Sequence, residues 1–151
     1  MSELSGNVLP GNLVALLDKR PTTVVVATVD DDGWPHAAPY NLVYAPDDRR
    51  LWLAVNRQDV TLKALRDYGL TMIEVLEEGD IAVGIKGRAR VIRDRMEANC
   101  NLCLVEVDVV EVKRDNSPHY LVAQGIRTRL REEPYLLQQR LIFQELKHAG
   151  V

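Results

Sequence analysis

The stretch Leu51–Leu65, LWLAVNRQDVTLKAL, decides how the chain is read. An alternating apolar strand (Leu51, Leu53, Val55) breaks at Asn56 and Arg57 into a polar loop, and the pattern predicts a helix beginning near Asp59. The N–H groups of a helix's first turn have no partners within the helix, and its positive end attracts anions. Thr61 supplies a hydroxyl, Lys63 and Arg57 supply cations and Asn56 an amide, so the segment is a candidate phosphate cradle. On these residues alone a second account stands beside it, in which Thr61 caps the helix and Lys63 stays in solvent.

A chain of 151 residues suits one domain with one core, expected over residues 1–151. Apolar residues make up 46% and charged residues 27%, an ordinary globular balance that calls for no extensive disorder. A formal net charge of -3 offers a polyanion no attractive field, which argues against a nucleic-acid or acidic-membrane partner. The opening MSELSGNVLPG lacks a basic run followed by an apolar core, and no stretch approaches the length of a membrane span. The expectation is a cytoplasmic protein. Cys100 and Cys103 make a CNLC spacing, half of a four-ligand zinc site; they read as small apolar residues leading into a strand, and no metal site is predicted.

Working outward, Leu9, Leu13, Leu16 and Leu17 recur at helical spacing, which predicts a short amphipathic helix over about 9–19, ended by Pro21. Thr22–Val29 is a β-branched run, and the turn residues of Asp30–Gly33 make it the first arm of a hairpin returning over His36–Tyr44. A second turn, Ala45–Arg50, leads into the Leu51 strand. Leu70–Leu76 and a long alternating strand from Ile81 to Val91 flank an EEGD turn. In Leu104–Arg114 the alternation slips by one residue, which predicts a β-bulge near Val109. Many short strands with few helices indicate a mainly β fold, a small barrel in preference to a sandwich. A last helix is predicted from Pro134 to about His148. Tyr135, Leu136, Ile142, Phe143 and Leu146 share one side of it, while Leu137 and Leu141 lie opposite. Two apolar sides need two surfaces, the barrel and either a second protomer or a covering loop.

The segments LPGNLVALLD, VVVATVDDDGWPHAAPYN, LWLAVNRQDVTLKAL and IAVGIKGRARVIRD, in this order over most of Leu9–Arg93, resemble the pyridoxamine 5'-phosphate oxidase-like split-barrel flavoproteins, especially the small FMN-binding proteins. The resemblance implies a six-stranded antiparallel split β-barrel of Greek-key type with peripheral helices. It also implies non-covalent FMN in a groove at the interface of a homodimer. Carried onto this chain, it places the flavin phosphate on Thr61 and Lys63, within the segment that also holds Val55 and Leu62, with Asn56 and Arg57 closing over the phosphate or ribityl chain. It puts the isoalloxazine along Ala38, Pro39, Tyr40 and Asn41. Pro39 lacks an N–H and belongs at a sheet edge or break, where a planar ring can replace a neighbouring strand; an ordinary edge strand guarded by proline is the alternative.

Tyr40 and Trp34 are candidate stacking residues, and Gly87 allows close backbone approach or marks a barrel bend. His36 is a candidate proton donor to reduced flavin or a substrate, with His119 and His148 as weaker candidates. Arg127, Arg129 and Arg131 would share one face of an extended segment, able to hold an anion or simply to meet solvent. The C-terminal Arg and His substrate pair of the true oxidases has no recognisable counterpart, and His36-Ala37-Ala38 stands where many members have arginine, which argues against vitamin B6 oxidation. No nucleophile elbow, P-loop, zinc-protease motif or Rossmann glycine fingerprint is present, so catalytic residues are not assigned and redox chemistry with a small-molecule donor or acceptor would come from the cofactor. The alternatives are the deazaflavin F420, haem on one of the histidines, or a dimeric binding module without cofactor.

Overall fold

The computed structural model describes residues 3–149. Eight strands and three helices follow one another as β1 (Glu3–Gly6), α1 (Gly11–Lys19), β2 (Val24–Val29), β3 (Pro35–Tyr40), β4 (Val43–Asp47), β5 (Arg50–Asn56), α2 (Val60–Tyr68), β6 (Leu70–Glu77), β7 (Ile81–Arg93), β8 (Leu102–Arg114) and α3 (Tyr135–His148). All strand pairs are antiparallel, in the order β3-β2-β6-β7-β8-β5-β4, with β1 added to β8. The class is mainly β, as the alternation predicts. Among the described residues the hydrogen-bonded path is open, with β3 and β4 at its two ends, so the barrel is a split one.

Two details depart from the six expected strands. The single return strand over His36–Tyr44 is two strands, because the chain changes partners at Asn41 and Leu42: β3 pairs with β2 and β4 with β5. Asn41 is exposed, Leu42 turns into a second core, and Pro39 already interrupts the donor row. The short β1 carries no pattern that sequence alone would single out; it exists because the far half of β8 offers it an edge. The bulge is where the slipped alternation puts it: Lys86 pairs with Glu111 but Gly87 with Val109, leaving Val110 extra.

The barrel interior collects Leu9, Leu13 and Leu17 of the α1 region with Val24, Val26, Leu53, Val55, Leu62, Ile73, Ile85, Val105 and Val107, all buried. The opposite face of β5 and β8 makes a second core from Trp52, Ala54 and Leu104, covered by Ile142, Phe143 and Leu146 of α3. This is the C-terminal part of the apolar side predicted for the last helix; Tyr135, expected on the same side, is 43% exposed, and Leu137 and Leu141 on the other side are 65% and 50% exposed. Beneath the second core lies Glu106, 2% exposed, which accepts hydrogen bonds from Trp52 Nε1 (3.1 Å), Arg50 Nη1 (3.1 Å) and Arg90 Nε and Nη2 (2.9 and 2.6 Å).

Gly87 has a packing role. A Cβ there would run into Val107 Cγ1 and approach Asp108 O at 3.0 Å, so the close approach is by β8. Gly87→Ala should therefore lower stability by about 1–3 kcal/mol, the cost of overpacking a filled core, as read by urea denaturation. Burial alone would raise the Glu106 carboxyl; the bonds from Trp52 and Arg90 and the nearby charges outweigh it and leave the pKa lowered. A depressed folded-state pKa contributes stability above the unfolded value, about 4.3, that is lost as pH falls through the folded value. The melting temperature of the native chain should thus fall with acidification from about pH 4.5 downward more steeply than that of Glu106→Gln, whose side chain cannot titrate.

Candidate functional site

The site is built where the ladder stops. β4 accompanies β5 only as far as Leu53, with one further bond from Ala54 N–H to Leu42 O, whereas β8 continues to Asn56. The β5 backbone from Val55 onward is therefore uncovered on its β4 side, and β3 and α2 approach it there. On β3, Pro39 stands opposite Val25 and Pro35 opposite Val29. Residues of one parity on an antiparallel strand share one hydrogen-bonding direction, and proline has no N–H to give β2. The polar groups of Pro35, Ala37 and Pro39 consequently face the open edge, with Ala37 supplying its N–H.

The polar loop closes itself. Asn56 Oδ1 accepts from Gln58 N–H (2.9 Å), Asn56 O from Asp59 N–H (3.1 Å), and Arg57 N–H donates to Asn101 O (2.8 Å). Helix α2 then begins with Asp59 at the cap position, whose side chain makes no bond to the first turn. Its buried face, Leu62 and Leu65, packs on the barrel core, and Gly69 ends it in the left-handed conformation at φ 66°. Beside the helix so anchored lies a groove of about 550 Å³ lined by Arg57, Gln58, Asp59, Leu62, Lys63, Arg66 and Asp67. A smaller cleft of about 260 Å³ lies between Asn56, Arg57, Gln58 and Asn101.

The predicted cradle residues divide between these surfaces and the core. Arg57, Leu62 and Lys63 line the groove, and Asn56 lines the smaller cleft with Arg57. Val55 points into the barrel core and leaves only its backbone toward the open side. Thr61 is 1% exposed, and its hydroxyl is hydrogen-bonded to Tyr40 rather than directed into the groove. Tyr40 in turn donates to Asp59 Oδ2 at 2.9 Å. Burial, with Asp59 beside it, pushes the Tyr40 hydroxyl up to about 12, while the Thr61 bond acts the other way. Thr61, Tyr40 and Asp59 thus tie β3 to the start of α2. Ala38 and Tyr40 lie half-buried on one face of β3, Pro39 is exposed, and Asn41 just beyond accepts from Thr23 Oγ1 at 2.9 Å, keeping its amide N–H groups for another partner.

The cations of the groove are paired. Lys63 Nζ meets Asp31 Oδ2 at 2.8 Å and Asp67 Oδ2 at 2.6 Å, bonds that raise the pKa of the ammonium. Arg57 and Arg66 both meet Asp94, at 2.9 and 2.7 Å. These pairs are exposed, and exposed pairs are individually weak. Sequence reading passed over Gln58, Arg66 and Asp94. Arg66 had a signal, since it follows Leu62 by one helical turn; Asp94 had none, being brought in from the end of β7.

The remaining candidates lie elsewhere. Trp34 is 72% exposed at the β2–β3 turn, its N–H donating to Asp30 Oδ1. His36 is half-buried on the Ala38–Tyr40 face of β3, opposite Thr28. Arg127 pairs with Glu77 and Glu78 at the β6–β7 turn, while Arg129 and Arg131 are exposed. His119 and His148 are exposed. Cys100 is exposed in the turn before β8, and buried Cys103 donates to Asp94 O at 3.2 Å. Among the described residues, no helix is long and apolar enough to cross a membrane.

Comparison with known proteins agrees with this fold. A protein of Lactobacillus delbrueckii provisionally described as a pyridoxamine 5'-phosphate oxidase superposes with a TM-score of 0.62 at 23% identity, covering 74% of this chain and 98% of its own. An FMN-binding protein of Syntrophomonas wolfei gives 0.53 at 15% identity, covering 66% and 80%. An F420 reductase gives 0.57 at 13%, covering 69% and 98%. At these identities the likeness is one of fold. No curated protein matches the chain. The family model described as pyridoxamine 5'-phosphate oxidase matches residues 9–102, more than half of the sequence. The chain belongs to the pyridoxamine 5'-phosphate oxidase family.

Proposed function

We propose that the protein is a homodimeric, cytoplasmic FMN-binding flavoprotein, an oxidoreductase or electron carrier working between a small-molecule donor and acceptor. The observation that carries this reading is the groove at the uncapped start of α2, lined by Arg57, Lys63 and Arg66, beside the open edge of β3. Its donor set suits a phosphate: two guanidiniums, an ammonium and backbone N–H groups at a helix N-terminus. When bound, the flavin supplies the hydride or electron transfer.

The residues have separable parts in this reading. Arg57, Lys63 and the first-turn N–H groups take the phosphate, and Asn56 holds the loop in shape through its bonds to Gln58 and Asp59. The phosphate-binding part assigned to Thr61 passes to its backbone, because its hydroxyl serves Tyr40. Along β3, the Ala37 N–H, the carbonyls beside it and the Asn41 amide offer hydrogen bonds to the polar edge of the ring. The F420 reductase neighbour supports a second reading with the deazaflavin in the same place.

The dimer part of the proposal rests on apolar side chains left outside both cores: Trp34, Tyr120, Leu121, Leu137 and Leu141, all at least half exposed. Leu137 and Leu141 give α3 an apolar side that neither core covers, and a second protomer is the surface that would cover it.

An absorbance spectrum of the purified protein after incubation with FMN and desalting should show the oxidised-flavin bands; a protein that keeps no chromophore, or keeps F420 in preference, would overturn the FMN assignment. Lys63→Ala should weaken FMN binding about tenfold while leaving the melting temperature nearly unchanged, since the pairs it breaks are exposed. Thr61→Ala should instead lower the melting temperature, the loss of a buried hydrogen bond costing about 1 kcal/mol. Sedimentation equilibrium should return twice the chain mass, and a monomer there would sink the dimer.

A further inference from the structure

Asp94 occupies an unusual position relative to the groove. Arg57 Nη1 donates to Asp94 Oδ2 at 2.9 Å and to the Asp94 carbonyl at 2.6 Å, while Arg66 Nη2 donates to Asp94 Oδ1 at 2.7 Å. One carboxylate therefore has a guanidinium on each of its two oxygens. Arg66 is further steadied by Cys103 Sγ at 3.6 Å, and Arg57 by the backbone bond of its own N–H to Asn101. Arg57 and Arg66 both line the groove, together with Asp59 at the α2 cap and Lys63.

A guanidinium recognises two ligand types by the same planar fork, a carboxylate and a phosphate. We propose that Arg57 and Arg66 form a fork for the terminal phosphate monoester of the ligand, and that the Asp94 carboxylate fills this fork until the ligand displaces it. The proposal rests on the flavin reading for the identity of the ligand, but the fork itself is argued from the Asp94 geometry.

Displacement is favourable for two reasons. The Asp94 side chain is 60% exposed and that of Arg66 46%, so the internal pairs gain little over water. A phosphate monoester carries close to two charges and three terminal oxygens, against one charge and two oxygens on Asp94. Arg57 and Arg66 hold the Asp94 carboxyl below its usual range, which keeps it an anion, and hence a competitor, at neutral pH. The same comparison sets a preference among flavins. A phosphodiester, as in F420, or each inner phosphate of FAD presents one charge and two free oxygens, no more than Asp94 offers. The fork favours FMN over these and does nothing for riboflavin, which has no phosphate.

The test is titration of FMN and riboflavin, followed by fluorescence quenching, into the native chain, Arg66→Met and Asp94→Asn, with melting curves to verify folding. Arg66→Met should weaken FMN binding about tenfold, the worth of one charged hydrogen bond, and leave riboflavin binding unchanged. Asp94→Asn should strengthen FMN binding severalfold, again with riboflavin unchanged. Native FMN affinity in Arg66→Met, or weakened FMN binding in Asp94→Asn, would overturn the proposal while leaving the flavin reading intact. A native chain that binds neither flavin would instead defeat the flavin reading, and the fork is then judged with inorganic phosphate. A phosphate-dependent rise in melting temperature, larger in Asp94→Asn and absent in Arg66→Met, upholds it; no rise in the native chain overturns it.

Discussion

The architecture depends on how β7 and β8 are allowed to bend. Each is thirteen residues long, and β8 must pair with β7 along one side while giving its other side first to β5 and then to β1. A flat ladder of that length could not wrap α1 and the inner faces of β2, β5 and β6 around one core. The extra residue Val110 bends β8, and Gly87 opposite lets the two backbones close where any side chain would strike Val107. A β-bulge adds local twist and re-aims the side chains beyond it, which is what the slipped alternation of β8 records.

From that bend follows the split. β5 is curled inward with β8, so β4 separates from it after Ala54, and the chain between β3 and β4 must cross the gap at Asn41 and Leu42. The gap leaves two unpaired backbone edges, β3 with its prolines and the end of β5, while α2 is anchored on the barrel core through Leu62 and Leu65. The Thr61–Tyr40–Asp59 bonds then fix the helix start against β3. A helix N-terminus, three cations and an unpaired strand edge are thereby brought together by packing that lies entirely below them.

The electrostatics of this region differ from those of the core. Glu106 is buried and accepts four hydrogen bonds, so its partners are held in place by the cost of leaving it unsatisfied. Around the groove, Lys63, Arg57 and Arg66 are paired with Asp31, Asp67 and Asp94 near solvent. Such pairs orient side chains without binding them tightly. Exposed pairs of this kind hold the side chains in place yet exchange readily with water, whereas the bonds to Glu106 do not.

Local patterns carried much of this. The spacing of the leucines in α1, the β-branched β2, the turn chemistry of Asp30–Gly33, the slip in β8 and the helix after Asp59 are each written in a few neighbouring residues, because helix and strand periodicity and turn preferences act at short range. That Arg57 and Lys63 stand as cations in the loop and helix following β5 was legible for the same reason. The break at Asn41, the short β1, the inward turn of Thr61 and the arrival of Asp94 between Arg57 and Arg66 were not. Each depends on which strand lies alongside, and strand partnership is settled by residues tens of positions away. The sequence alone determined most of the elements and the charge of the segment after β5; the tertiary structure decided which strands pair and which side chains of that segment face the groove, because burying Leu62 and Leu65 fixed the roll of the helix that carries them.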